Sequence, residues 1–296
     1  MTVEATRPPL GTPAQCRRET LPGPHQVVGG LATHAPSIGQ PGAKVINLHR
    51  IDPTNIGDLN SAPAQHVAFL RHARRMDICE INQQNFGQLN EAVVILGGGG
   101  LIGQSYFEAG IRAVLQARPK RRICWGAGHN DHEHPTIELP VYLDSFDLVG
   151  VRDYGKRHEW VPDASCLHPL FDQRFSIKHD VVLYEHPRFG RTALNELPKM
   201  DNRERSFSKV LKFLASGETV LTSSYHGAYW GTLLNRKIIL INAFSSKFHG
   251  FKHQPPIATE GSWKSKLAEA RSYPEALAEC RGANLRFSEK VMALLT

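Results

Sequence analysis

The chain is poor in the features that mark several large protein classes. Cysteine is scarce: Cys16, Cys79, Cys124, Cys166 and Cys280 are odd in number and nowhere form a CxxC pair. That argues against a disulfide framework and against a cysteine zinc site, and leaves buried reduced thiols as the reading. No segment supplies an uninterrupted apolar span of about 20 residues, and the start lacks the basic, apolar and small-residue succession of a signal peptide. A cytoplasmic protein is therefore expected. No G-x-S-x-G elbow occurs, which argues against Ser-His-Asp hydrolysis. Nucleic-acid motifs are missing too, so the formal charge of +7 is read as suiting an anionic substrate or an anionic membrane face, with no nucleic-acid partner.

Apolar periodicity is absent from the first 42 residues, where RPPLGTP, LPGPHQ and PSIGQPG mark a mobile leader. From Ala43 onward short apolar strands alternate with amphipathic helices, an α/β signature. Strands are expected at 45–48, 77–81, 92–96, 123–125 and 148–151, with helices at 64–75, 106–117 and 154–160. A second series places strands at 180–184, 219–222 and 238–242 and helices at 207–215, 228–234 and 285–295. At 296 residues the chain exceeds a usual domain of roughly 100–150. Two Rossmann-like domains follow, at 43–172 and 173–296, with the active site in the cleft between them and the final helix free to pack back on either. No internal repeat is visible.

In open α/β sheets, ligands bind where strands end at their carboxyl side. Asn55, Gly57 and Asp58 follow the first strand, Gly98, Gly99 and Gly100 another, Gly126 and Gly128 another, and Arg152 ends the last strand of the first half. Gly98, Gly100 and Gly103 spell G-x-G-x-x-G, but the next strand ends at Trp125-Gly126 with no acid to hold a ribose, so a tight turn is the preferred reading. For Asp58, helix capping and proton abstraction are both open. Arg152 suits a phosphate or carboxylate, against a pairing with Asp153 or Asp163. His226, after Ser223 and Ser224 at a helix start, can move a proton near neutral pH. Lys247 is a second anion ligand or an ordinary surface lysine. His129, Asp131, His132, Glu133 and His134 match no standard metal spacing and read as a solvated loop, with no metal expected.

In this order, NIGDLN, VVILGGGGLIG, CWGAG, VGVRD, VPDASCLHP and TSSYHGAYWGTLLNRKIILI resemble the polysaccharide pyruvyl transferase family over residues 45–247. The resemblance implies two Rossmann-like domains in a glycosyltransferase-B-like arrangement. It implies transfer of pyruvate from phosphoenolpyruvate, as donor substrate and without a cofactor, to a sugar of an exopolysaccharide or cell-surface glycan precursor as a ketal. On it, Arg152 matches the arginine holding the donor, His226 the catalytic histidine and Lys247 a basic donor contact, with Ser223 and Ser224 beside them. Asp58 would serve as base, and Asn55, Gly57 and the glycines would line the cleft. One position departs: the family carries S-R-x-H-G, and Ser224 stands in the arginine's place. Arg236, Lys247, Arg188 and Arg191 are the candidates to restore that charge. A nucleotide-sugar-dependent glycosyltransferase and a non-catalytic glycan- or phosphate-binding protein are the alternatives. A lipid-linked saccharide acceptor would make the basic surface a peripheral membrane contact.

Overall fold

A computed structural model describes residues 44–295, so the leader expected at 1–42 lies outside the described residues. The first sheet contains β1 (Val45–His49), β2 (Arg74–Asp77), β3 (Val93–Leu96), β4 (Gly99–Ile102), β5 (Arg121–His129), β6 (Leu148–Val151) and β7 (Glu159–Trp160). Its order is β2-β1-β3-β5-β6-β7, with β4 against the end of β5, and every pairing is parallel. Three short or medium helices belong to this part: α1 (Ile56–Asn60), α2 (Pro63–His66) and α3 (Glu108–Gln116).

A parallel sheet covered on both faces needs near-continuous apolar strands, and VVIL in β3 is one. Alternate residues go to opposite sides. Ile46, Leu48, Val94, Leu96 and Cys124 join Ile111 and Val114 of α3 in one core. Val93, Ile95, Ile123 and Trp125 form the other.

The second sheet contains β8 (His179–Glu185), β9 (Lys199–Asp201), β10 (Gly217–Thr222), β11 (Lys237–Ile241) and β12 (Ile257–Ala258), in the order β12-β11-β10-β8-β9, again all parallel. Here α4 (Phe207–Ser216) and α5 (Tyr225–Leu233) pack on Val182, Tyr184, Val220 and Leu240, while Leu183, Leu221, Ile239 and Ile241 meet Trp263 on the opposite face. Both sheets share a path. The second strand takes the edge beside the first, and the third returns to the first strand's other side. This reversal opens a crevice at the carboxyl ends of β1 and β3, and again at those of β8 and β10. The repetition is one of topology, without a repeat in the sequence.

The final helix, α6 (Ala276–Leu295), joins the two cores. Cys280 packs with α5 residues of the second core, whereas Phe287 and Val291 pack under the first sheet with Trp125. Asn284 fixes the register: its Oδ1 accepts from Trp125 Nε1 at 2.9 Å, and its Nδ2 donates to Pro162 O at 3.1 Å. Among the described residues no helix is long and apolar enough to cross a membrane.

Several expected elements differ. The helix expected at 64–75 stops at His66, and its end is the edge strand β2, where only Met76 and Asp77 are buried. The strand expected at 77–81 is a 3-10 turn, because the Asp77 carboxylate accepts from Cys79 N at 3.0 Å and curls the chain. The glycine run does not enter a helix: Gly99–Ile102 is β4, and α3 begins only at Glu108. That removes the strand-to-helix context a dinucleotide fingerprint requires. No helix forms at 154–160, where Glu159–Trp160 pairs with β6. Strand β5 continues through the CWGAG stretch to His129, with a bulge at Gly126 (φ +66°).

Phe287 is fully buried, with its ring 5.1 Å from Trp125 in an edge-on contact. Phe287→Ala is expected to lower stability by about 3–5 kcal/mol, seen as a fall in the urea midpoint at unchanged slope. An unchanged midpoint would contradict the helix's role as a clasp.

Candidate active site

The loop after β1 builds the first wall. Asn55 caps α1, accepting from Gly57 N at 3.1 Å, and its Nδ2 donates to Asp58 Oδ2 at 2.9 Å. Capping is thus done by Asn55, and the Asp58 carboxylate is held in the first turn. Burial pushes its pKa up to about 6, against the opposing pull of His226.

The loop after β10 builds the facing wall. Ser224 caps α5, accepting from Gly227 N at 3.3 Å and donating to Asn202 Oδ1 at 2.9 Å. The carbonyl of Asn202 in turn accepts from Ile56 N at 2.9 Å, so α1 and α5 start from one bracket. His226 sits in the first turn of α5, almost fully buried, beside Trp230. A Cβ on Gly57 would lie 2.0 Å from His226 Nδ1, so glycine is what lets the ring reach α1. On the other side Nε2 lies 3.4 Å from Asp163 Oδ2. Asp163 is fully buried; burial raises its pKa, but the bonds from His226 and from Ser165 N and Oγ outweigh this and hold it below the usual carboxylate range. An ionised Asp163 makes Nε2 the donor and leaves Nδ1 facing Gly57 and Asp58.

Arg152 follows β6 and is only 3% exposed. Its Cζ lies 3.8 Å over the face of Tyr225. Two glycines make room for it: a Cβ on Gly128 would stand 2.1 Å from Nε, and one on Gly100 would stand 2.9 Å from Nη2. The pairings weighed for it are occupied elsewhere. Asp163 bonds His226; Asp153 Oδ2 accepts from His129 N at 2.7 Å, and although the Arg152 charge acts on the Asp153 carboxyl, the two form no ion pair. Nε has no partner, and among the described residues the guanidinium has no ion pair. A buried, unpaired cation of this kind is costly unless an anion completes it.

Lys247 lies in a 3-10 turn after β11, also 9% exposed, with Nζ 4.5 Å from the Phe244 ring centroid. Burial pushes its pKa down to about 7; the Arg152 cation acts in the same direction and the Asp58 carboxylate against it. Arg152, Lys247, Asp58 and His226 therefore share one electrostatic neighbourhood. Of the other basic candidates, Arg236 donates to Ala215 O and Phe175 O, and braces the second core.

The remaining candidates support this frame. Ser223 Oγ accepts from His186 N at 3.0 Å, and Ser224 is the helix cap. Gly98 lies against the Ser61 backbone, a Cβ on Gly99 (φ +84°) would stand 3.9 Å from Asp58 Oδ1, and Gly126 packs toward Pro162 O. Sequence reasoning missed Asp163 as the partner of His226, although it lies within VPDASCLHP, and Tyr225 as the platform for Arg152. The solvated loop expected from His129 is corrected in part. His129 ends β5, is buried and bonds Ser246 Oγ through Nδ1 at 2.7 Å, because β5 runs on past the glycines; the exposed loop begins beyond Asp131.

Gly57→Ala is expected to break the His226–Asp163 contact, since the added methyl occupies the ring's place. A crystal structure of the variant with the ring unmoved would contradict this.

Three comparisons bear on identity. No curated protein matches the chain. A solved structure of a functionally uncharacterised protein from Klebsiella pneumoniae subsp. pneumoniae NTUH-K2044 is similar at a TM-score of 0.44 and 14% identity, covering 73% of this chain and 92% of its own. The family model for polysaccharide pyruvyl transferase matches residues 30–243, which takes in Asp58, Arg152, Asp163 and His226 and ends just before Lys247. With more than half of its length matched, the chain belongs to the polysaccharide pyruvyl transferase family.

Proposed function

We propose that the protein transfers the pyruvyl group of phosphoenolpyruvate to a diol of a sugar in an exopolysaccharide or cell-surface glycan precursor, forming a ketal. In this reading the two sheets are the cores of two Rossmann-like domains, divided near residue 172, in a glycosyltransferase-B-like arrangement with the reaction in the cleft. The observation that carries it is the buried Arg152 guanidinium, in no ion pair among the described residues, close enough to Lys247 to lower its pKa and separated from His226 by Tyr225. Two neighbouring cations that form no ion pair among the described residues suit a donor bearing both a phosphate and a carboxylate.

The chemistry follows from these groups. Arg152 and Lys247 hold the donor's two anionic ends. His226, supported by ionised Asp163 and carrying a proton on both ring nitrogens in the reacting form, gives the Nδ1 proton to the methylene carbon, which becomes the methyl group, and is left neutral with Nε2 donating to Asp163. The carbon bearing phosphate gains oxocarbenium character and is attacked by the first sugar hydroxyl, whose proton passes to Asp58. A second hydroxyl then forms the other C–O bond as phosphate leaves, and its proton departs with that phosphate. Asp58, with its pKa near 6, is largely ionised at neutral pH and basic enough for the task. Ser224 leaves the donor one arginine poorer than in the family pattern, and Lys247 supplies the compensating charge.

The direct test is purified protein with phosphoenolpyruvate and a panel of hexosides, followed by inorganic phosphate and by the mass of the glycan. Phosphate release with the mass gain of a pyruvate ketal is expected; a glycosyl mass gain from a nucleotide sugar, with phosphoenolpyruvate inert, would overturn the reading. His226→Gln should lower turnover by about 10²–10⁴-fold in a variant that still unfolds cooperatively. The pH profile of kcat/KM for the donor should be a bell. Its acid limb lies near 6, where Asp58 protonates, and its alkaline limb near 7, where Lys247 loses its charge in the free enzyme. A profile flat between pH 5 and 9 would contradict both assignments.

A further inference from the structure

Beyond the catalytic groups, the loop after β5 and the turn after β11 enclose a recess of about 280 Å³. Asp131, His132, Glu133, His134, Phe244 and His249 line it. The volume equals about nine waters at roughly 30 Å³ each and falls just below the usual small-molecule range of roughly 300–1,000 Å³. One pyranose ring fits such a space; an extended oligosaccharide does not.

The recess shares a wall with the donor cations. Phe244 lies under Lys247 Nζ at 4.5 Å. Ser245, also on the lining, donates to Asn130 Oδ1 at 2.6 Å, and Asn130 stands beside Arg152 across Gly100. The chemistry of the lining differs sharply from that wall. Two carboxylates face it, and Asp131 is kept ionised by the amides of Glu133 and His134 together with the His134 ring. Such a lining repels phosphate and carboxylate, so the donor has no reason to enter. A bare divalent cation is poorly served: Asp131 is already engaged, and among the described residues no three His, Cys, Asp or Glu are grouped to hold one. What the lining offers is the partly exposed ring of Phe244, met edge-on by His132 at 5.3 Å and by the tilted Phe189 ring at 5.0 Å, together with acceptors and donors for hydroxyl groups. Apolar C–H faces and many hydroxyls are combined in an uncharged sugar.

We infer that this recess is the acceptor subsite, which seats one uncharged hexopyranose ring against Phe244 with its diol edge turned toward Lys247 and Arg152. The inference rests on the pyruvyl-transfer reading for the identity of the neighbouring donor. Glu133 and Asp131 accept from the ring hydroxyls, and the ring is presented at the wall where the donor's reacting carbon would lie. The exposed part of the HNDHEH stretch is thereby a specificity element and not a solvated surface alone.

The test uses the full-length chain, methyl hexopyranosides of gluco, galacto and manno configuration, and saturation-transfer NMR with titration in the presence and absence of phosphoenolpyruvate. At least one glycoside should bind. Phe244→Ala and Glu133→Gln should each weaken it by about tenfold or more, while donor affinity measured calorimetrically on Glu133→Gln, whose side chain does not touch Lys247, stays within about twofold. Absence of glycoside binding to the wild type, equal binding by the variants, or a parallel loss of phosphoenolpyruvate binding in Glu133→Gln would each overturn the assignment. So would stoichiometric zinc binding that disappears in His249→Ala and excludes the glycoside. If the wild type binds the glycoside as expected but not phosphoenolpyruvate, the saccharide site stands and the pyruvyl reading falls.

Discussion

The structure depends on one uncomfortable arrangement, a guanidinium buried at the end of β6 with no carboxylate to meet it. Arg152 is there because two glycines leave it space and because the Tyr225 ring gives it a face to rest on. Cation–π contact offsets part of the desolvation cost, by about 2 kcal/mol or somewhat more in such settings, and the remainder awaits an anion. Lys247 is set in the same field, and its depressed pKa reports how poorly the protein alone solvates these charges. Among the described residues the acids nearby form no ion pair with them: Asp163 holds His226 and Asp153 Oδ2 holds the backbone of His129, while Asp153 and Asp58 act on the two cations only through the field.

The two parallel sheets give this arrangement its frame. Each reverses its strand order after its first strand, so each offers a crevice at its carboxyl edge. From the first sheet come Asp58 and Arg152, and from the second His226 and Lys247. Their loops are joined where Asn202 receives both the Ser224 hydroxyl and the Ile56 amide. Ser224 has a structural use at the position where the family pattern has arginine: a hydroxyl can cap α5 and reach Asn202 in one geometry, whereas an arginine side chain would extend past both. The glycines serve the same economy of space, Gly57 toward His226 and Gly128 toward Arg152.

Much of the fold was legible because parallel strands covered on both faces are near-continuous apolar runs, as VVIL and KIILI are. The strands that escaped notice lack that signal. RRMD in β2 is an edge with only its last two residues buried, GGLI in β4 looks like a turn, and the GAGH end of β5 is hidden by glycines. At the site, His226, Arg152 and Asp58 could be picked out because they directly follow strands. Asp163 could not be paired with His226 from sequence, since it lies on an irregular connection and the contact is purely tertiary. The depressed pKa of Lys247 was equally invisible, because it comes from burial against Phe244 and Phe248 and from the nearness of Arg152.

The central claim is that Arg152 and Lys247 form a preorganised site for a doubly anionic donor. Calorimetric titration of phosphoenolpyruvate into the wild-type chain and into Arg152→Met, at low and moderate salt, tests it most directly. Saturable one-to-one binding that weakens with salt and is lost in the variant is the predicted result. Equal binding by both proteins, or none by the wild type, would contradict it.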